Sequence, residues 1–273
     1  MFRTGLLFFL FFPAGLFAQA VPYTQPTFSE SFFQFESQAR ERIFTDYSNL
    51  YSRSNVKNCG LALLGAGVLA NTSWDGDFQH WHNKYIRSDF TDEFSKVSKV
   101  FGNGHYFVPA MTASALTYRF LQEWREIPES ALGEFTDRTT RGYLVGTPAL
   151  LLFQVTLGGD RPGDGTSHWR PFREPHGISG HAFMGAVPFI TAAQMTDRPC
   201  VKGLFYALST FTGWGRVNDD QHYLSQALLG WYLAYLSVQA VSETEKKRRL
   251  PQGLTLFPVT ESNAVGAGLI YRY

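Results

Sequence analysis

The chain has 273 residues, with 24 Lys and Arg against 23 Asp and Glu, 17% charged and 16% aromatic residues, and a formal charge of +1. That length allows one large domain or two small ones around a sizeable core. The near balance of charge excludes electrostatic steering towards nucleic acid, and the composition suits a globular helical protein with thick apolar seams.

Residues 1–20 read as an export signal: Arg3, an apolar run from Gly5 to Phe17, then Ala18-Gln19-Ala20 as a small-residue cleavage site. The run falls short of the roughly 20 residues a membrane span needs. The expected product is therefore exported and periplasmic, either soluble or membrane-associated. Residues 21–55 form a polar, aromatic-rich lead-in whose part from Glu30 to Leu50 has the spacing of an amphipathic helix.

Six apolar, mostly charge-free segments follow, near Cys59–Trp74, Tyr106–Leu121, Gly142–Gly158, His181–Met195, Val201–Trp214 and His222–Val241. Each is helix-length and is separated from the next by charged or Gly/Pro-rich sequence, so the predicted fold class is all-α, a helical bundle over 56–249. Gly142–Gly158 and Tyr223–Ser242 are long enough to be considered as membrane spans. The remaining segments are shorter, and polar residues are scattered through the set, so a bundle of buried helices is the preferred reading. Residues 250–273 change character: Leu254–Val259 and Val265–Tyr273 are β-rich around Glu261-Ser262-Asn263, predicting a short C-terminal β-hairpin.

Cys59 and Cys200 are the only cysteines, and they leave open one disulfide or two separate thiols. His80 and His82 flank Trp81 without a third ligand, so no metal and no role is assigned to them.

Three short stretches carry chemistry. In Ile178-Ser179-Gly180-His181, an apolar helix begins at once, so Ser179 sits where an N-cap would be. The unpaired amides of its first turn, Gly180 included, form an anion site. His181 at its mouth is placed to donate a proton to a leaving oxygen. Gly215-Arg216 is followed by His222, which begins the last long apolar segment and can attack phosphorus from the opposite side. Gly159-Asp160-Arg161-Pro162 follows the third apolar segment and offers a second arginine fork. The plain readings are a helix start, a boundary histidine, a surface ion pair of Arg216 with Asp219 or Asp220, and a glycine-proline turn. The loop residues His168, Trp169, Arg170, Arg173 and His176 either line the mouth of this site or are simply exposed.

In this order and spacing the three stretches resemble the type 2 phosphatidic acid phosphatase and vanadium haloperoxidase superfamily. Its pattern is Lys, six residues, Arg-Pro; then Pro-Ser-Gly-His; then Ser-Arg, five residues, His, three residues, Asp. The resemblance runs from about Gln154 to Gly230. It implies that family's helical bundle, with Arg161, Arg216, Ser179 and Gly180 holding phosphate oxygens. It also implies His181 as general acid and His222 as the nucleophile that forms a phosphohistidine. The chain departs from the pattern at four positions: Gln154 stands for the lysine, Gln226 for the acid that orients the nucleophile, Ile178 for the proline and Gly215 for the serine. Gln226 lies four residues after His222, on one face of a helix if both are helical, where it can accept a hydrogen bond from the imidazole. Asp219, three residues before His222, is an acid within reach that could compensate.

The implied activity is hydrolysis of a phosphomonoester or diphosphate, a small molecule or a lipid phosphate at a membrane surface. No cofactor is required, and vanadate acts as an inhibitor. Two alternatives stand beside it: a haloperoxidase in which vanadate is the cofactor, and a phosphate-binding relative impaired by Gln154 and Gln226.

Overall fold

The structure is a computed structural model that describes residues 10–12, 27–125, 127–249, 253–261 and 264–272, with side chains over 27–125 and 127–248. The expected export signal, apart from Leu10–Phe12, and the expected turn at Ser262-Asn263 lie outside the described residues. The chain divides into two units, Thr27–Thr244 and the paired segments Met1–Pro26 and Glu245–Tyr273. In the second unit the backbone carries β1 (Leu10–Phe12), β2 (Gly253–Glu261) and β3 (Ala264–Arg272), hydrogen-bonded in the order β1-β3-β2.

The first unit is all-α. Its helices start where short polar side chains stand before an apolar pattern. Thr27 and Glu30 form a capping box for α1 (Phe28–Leu50), and Ser52 caps α2 (Arg53–Ala70). Helix α3 (Trp74–Tyr85) follows, then α4 (Asp89–Gly102), opened by Ser88 and Thr91, and α5 (Gly104–Arg125). Ser130 caps α6 (Ala131–Leu157), Ser179 caps α7 (Gly180–Gln194), and Pro199 opens α8 (Pro199–Ser209). Helix α9 (Phe211–Asn218) is short, and α10 (Leu224–Arg249) runs from this unit into the next.

Helix α7 is the core of the bundle. Phe183, Ala186, Val187 and Ile190 are wholly buried and pack with Tyr143 and Leu150 of α6 and Leu229, Leu233 and Val238 of α10. A helix apolar on every side must be enclosed by others, and α4, α6, α8 and α9 all pack against it. No helix among the described residues is long and apolar enough to cross a membrane, Gly142–Gly158 and Tyr223–Ser242 included.

Two expected segments change in detail. The Cys59–Trp74 segment ends at Ala70, because the Asn71 amide and the Thr72 hydroxyl donate to the Gly67 and Val68 carbonyls and close the helix. The Val201–Trp214 segment breaks in two at Thr210, where the Ser209 and Thr210 hydroxyls donate to the Tyr206 and Ala207 carbonyls. Helices α3 and α4 occupy a stretch with no long apolar run. Cys59 and Cys200 are free thiols.

Candidate active site

Helix α6 ends at Gly158 and Gly159, both at positive φ (65° and 135°), a turn open to glycine at little cost. It delivers Asp160 and Arg161 to the N-terminus of α7. There the Ser179 hydroxyl accepts from the Ala182 amide at 3.3 Å, while the Gly180 and His181 amides have no protein acceptor among the described residues. Gln154, one turn before the end of α6, brings Nε2 to 3.2 Å from the point a Cβ on Gly180 would occupy, so a side chain there would crowd the Gln154 amide. The first-turn amides and the helix dipole make an anion site here.

The third stretch departs from expectation. His222 does not begin the last helix: α10 starts at Leu224, and residues 219–223 form a turn in which Asp220 holds φ at 54°. Tertiary hydrogen bonds hold that turn. The Asp220 carboxylate accepts from Gln79 and Asn83 at 2.8 Å each and pairs with Arg87. Gln79 also donates to the Val217 carbonyl at 2.9 Å. Asp75 accepts from the Ser225 amide at 3.0 Å and from its hydroxyl, which caps α10 from another helix. One face of α3, at positions 75, 79 and 83, thereby grips both sides of His222.

Gln226, only 1% exposed, ties the three stretches together. Its backbone carbonyl accepts from the Ser179 amide at 2.9 Å, and its Nε2 donates to the Asp160 carbonyl at 3.0 Å. Its Oε1 accepts from the Tyr223 amide at 3.2 Å and faces His222 Nδ1 at 2.8 Å. An amide can only donate and a carbonyl can only accept, so the orientation of the Gln226 side chain is forced. Nδ1 of His222 therefore carries the proton, and its Nε2 keeps a lone pair. Asp219 does not serve His222: it pairs with Lys99 of α4 at 2.7 Å and accepts from Ser95.

The two arginines converge. Arg161 Nη1 and Arg216 Nη2 each donate to Gln221 Oε1 at 3.3 Å, and neither guanidinium has a carboxylate partner among the described residues. The Nε of each is buried without an acceptor. Burial lowers the pKa of Arg216, with Asp219 opposing and Arg161 adding to the shift. Two uncompensated cations sharing one neutral oxygen form a site built for an anion.

Both imidazoles feel those cations. Burial, then Arg216, His176 and Arg161, push His222 down to about 3 against the Gln226 hydrogen bond. Burial, then Arg216, Arg161, Lys99 and His105, push His181 down to about 4. A third imidazole, His176, stands edge-on to His222 with ring centroids 6.2 Å apart.

The other loop residues serve elsewhere. Ser167 and His168 bond the Ala70 carbonyl, the Trp169 amide bonds Asn71, and Arg170 pairs with Asp160. Arg173 is exposed. His82 is buried within α3 beside Phe78 and Trp214. No three His, Cys, Asp or Glu side chains gather as metal ligands among the described residues.

Residues 135–250 match the family model described as PAP2 superfamily. Over that span the chain is similar to the PAP2 superfamily. Comparison with curated proteins and with solved structures gave no match. The matched span holds Gln154, Arg161, Ser179, Gly180, His181, Arg216, His222 and Gln226, and members of the PAP2 superfamily are generally phosphatases. The grip of α3 and α4 lies outside the span. Sequence reasoning missed Asp75, Gln79, Asn83, Lys99 and Gln221. The spacing of 75, 79 and 83 was a usable signal only once that stretch was known to be helical.

Proposed function

We propose that the protein is an exported phosphatase hydrolysing a phosphomonoester or diphosphate through a phosphohistidine on His222. The observation that carries the reading is the pair of guanidiniums, Arg161 and Arg216, sharing one neutral oxygen beside an imidazole whose tautomer Gln226 dictates. The export part rests on the pattern of residues 1–20.

Phosphate oxygens displace Gln221 Oε1 and take the two arginine forks, the Gly180 and His181 amides and the Gln154 amide. His222 Nε2 forms the bond to phosphorus as the bond to the leaving oxygen breaks, and His181 gives that oxygen its proton. Water then attacks the phosphohistidine. His181, now neutral, takes the water proton, which frees inorganic phosphate and the His222 lone pair. Without an anion His181 is neutral at pH 7. The arriving phosphate offsets Arg161 and Arg216 and raises its pKa, so substrate and catalytic proton are taken up together.

Purified protein assayed on an aryl phosphate tests the reading. Hydrolysis inhibited by vanadate is expected, reduced to background in His222→Ala and lowered roughly 10²–10³-fold in Arg216→Ala. Vanadate-dependent oxidation of bromide by peroxide in place of hydrolysis would sink it. So would a folded protein silent in both assays.

A further inference from the structure

Residues 172–179, which lead into α7, are fastened on both sides. The Phe172 amide donates to the Val155 carbonyl at 2.9 Å and the Gly177 amide to the Gln154 carbonyl at 3.4 Å, while the Ser179 amide donates to the Gln226 carbonyl at 2.9 Å. Gly177 lies so close to the end of α6 that an added Cβ would stand 2.6 Å from the Leu157 Cβ and 2.8 Å from the Gly158 nitrogen. His176 is thereby held beside the nucleophile. Its ring is nearly perpendicular to that of His222, at 81°, with centroids 6.2 Å apart.

Charged and titratable groups face this imidazole from each neighbouring element. Burial first, then Arg161 on the turn after α6, lower its pKa, while Glu174, the Pro175 backbone and Asp164 oppose that shift. His222 faces it from the turn before α10. No carboxylate forms an ion pair with His176 among the described residues, and its side chain bonds no other element of the bundle. Without an anion it is therefore neutral at pH 7. The anion site then carries two positive charges, Arg161 and Arg216, since Gln154 is neutral. A phosphoryl group in transfer spreads its charge over three equatorial oxygens. With phosphorus on His222 Nε2 and the leaving oxygen on the far side, those oxygens ring the axis, and a group flanking His222 meets one of them.

Resting on the phosphatase reading, we infer that His176 is a third phosphate-binding side chain, which donates to an equatorial oxygen as an imidazolium when a phosphomonoester dianion occupies the arginine forks. The dianion offsets Arg161, the charge that opposes the proton. One proton is taken from solvent on binding and returned when inorganic phosphate leaves. The substrate class follows from this charge balance. A phosphomonoester carries the second negative charge that retains the proton. A diester carries one, already shared by the two arginines, and is the poorer ligand.

The test compares the wild type with His176→Gln. On an aryl phosphate, the variant should lose roughly 10- to 100-fold in kcat at pH 6, and the ratio to wild type should shrink to about threefold or less at pH 9, where the imidazole is neutral in both states. Adding Gln154→Lys should restore most of that loss in the variant and raise the wild type far less, because the wild type already has its third charge. Calorimetric titration with inorganic phosphate at pH 8, in buffers of different ionisation enthalpy, should show proton uptake that is smaller in His176→Gln by up to about one proton. Phenylphosphonate, a dianion, should inhibit better than its monomethyl ester, and His176→Gln should narrow that preference. A loss that is equal at pH 6 and pH 9, or unchanged proton uptake, would overturn the inference while leaving aryl phosphatase activity, and so the catalytic reading, intact. Absence of aryl hydrolysis in the wild type would instead remove the catalytic reading.

Discussion

At the scale of single residues, Gln226 replaces charge with geometry. A carboxylate at this position could hold His222 Nδ1–H, but it could not donate to the Asp160 carbonyl as the amide does at 3.0 Å. The amide therefore sets the tautomer and ties the Arg161 turn to the nucleophile, without stabilising an imidazolium by charge. Gln226→Leu should keep the fold and lower kcat by about 10²–10³-fold with little change in KM, approaching the ~10⁴-fold loss seen when a triad histidine takes the wrong tautomer. A KM effect alone would assign Gln226 to binding. The same burial predicts acid sensitivity. Below pH 6.5 the unfolded chain protonates its histidines, while folded His222 and His181 stay neutral down to about 3 and about 4. Stability is therefore unaffected by these groups above pH 6.5 and falls as pH drops below it. The slope is up to about 1.4 kcal/mol per pH unit for His222 and less for the partly exposed His181. Urea titrations at pH 7.5, 6 and 5 should show this slope in the wild type and a shallower one in His222→Asn.

At the scale of elements, helix α3 is an external brace for the nucleophile turn. Asp75 is buried, which raises its pKa, and the two Ser225 hydrogen bonds oppose that shift. Removing the acceptor leaves the Ser225 amide and hydroxyl without a partner in a dry site. Asp75→Ala should cost about 1.5–3 kcal/mol in urea unfolding and lower kcat on an aryl phosphate more than it raises KM, because His222 loses its placement and the arginines keep theirs. Asp75→Asn should recover part of both. This brace was not legible in the sequence. The stretch Trp74–Tyr85 mixes Trp, His, Asn and Gln with no apolar run, so its helix is organised by what its polar face grips rather than by a hydrophobic stripe. The anion-binding start of α7 was legible, because Ser179, Gly180 and the apolar residues after them encode a capped helix N-terminus locally.

At the scale of the whole molecule, the helical unit joins α1, α5 and α6 through buried ion pairs. Burial alone would raise the Asp137 carboxyl, yet Arg119, Arg141 and Arg42 hold it down at about 2. Arg119→Met leaves Asp137 and Glu134 short of a partner and should destabilise the unit by about 3–5 kcal/mol, measured by thermal unfolding at pH 7. A change below about 1 kcal/mol would mean that the remaining arginines compensate.

What the sequence determined by itself is what local chemistry encodes: the apolar helices, the serine-capped start of α7, and the order and spacing of the arginine and histidine stretches. Only the tertiary structure decided that His222 sits in a turn rather than on a helix, that Asp219 answers Lys99 rather than the imidazole, and that Arg141 of α6 binds Asp46 of α1. The physical reason is sequence distance. Caps and periodicity act within a few residues, whereas Asp75 meets Ser225 and Arg141 meets Asp46 only after the chain has folded back on itself.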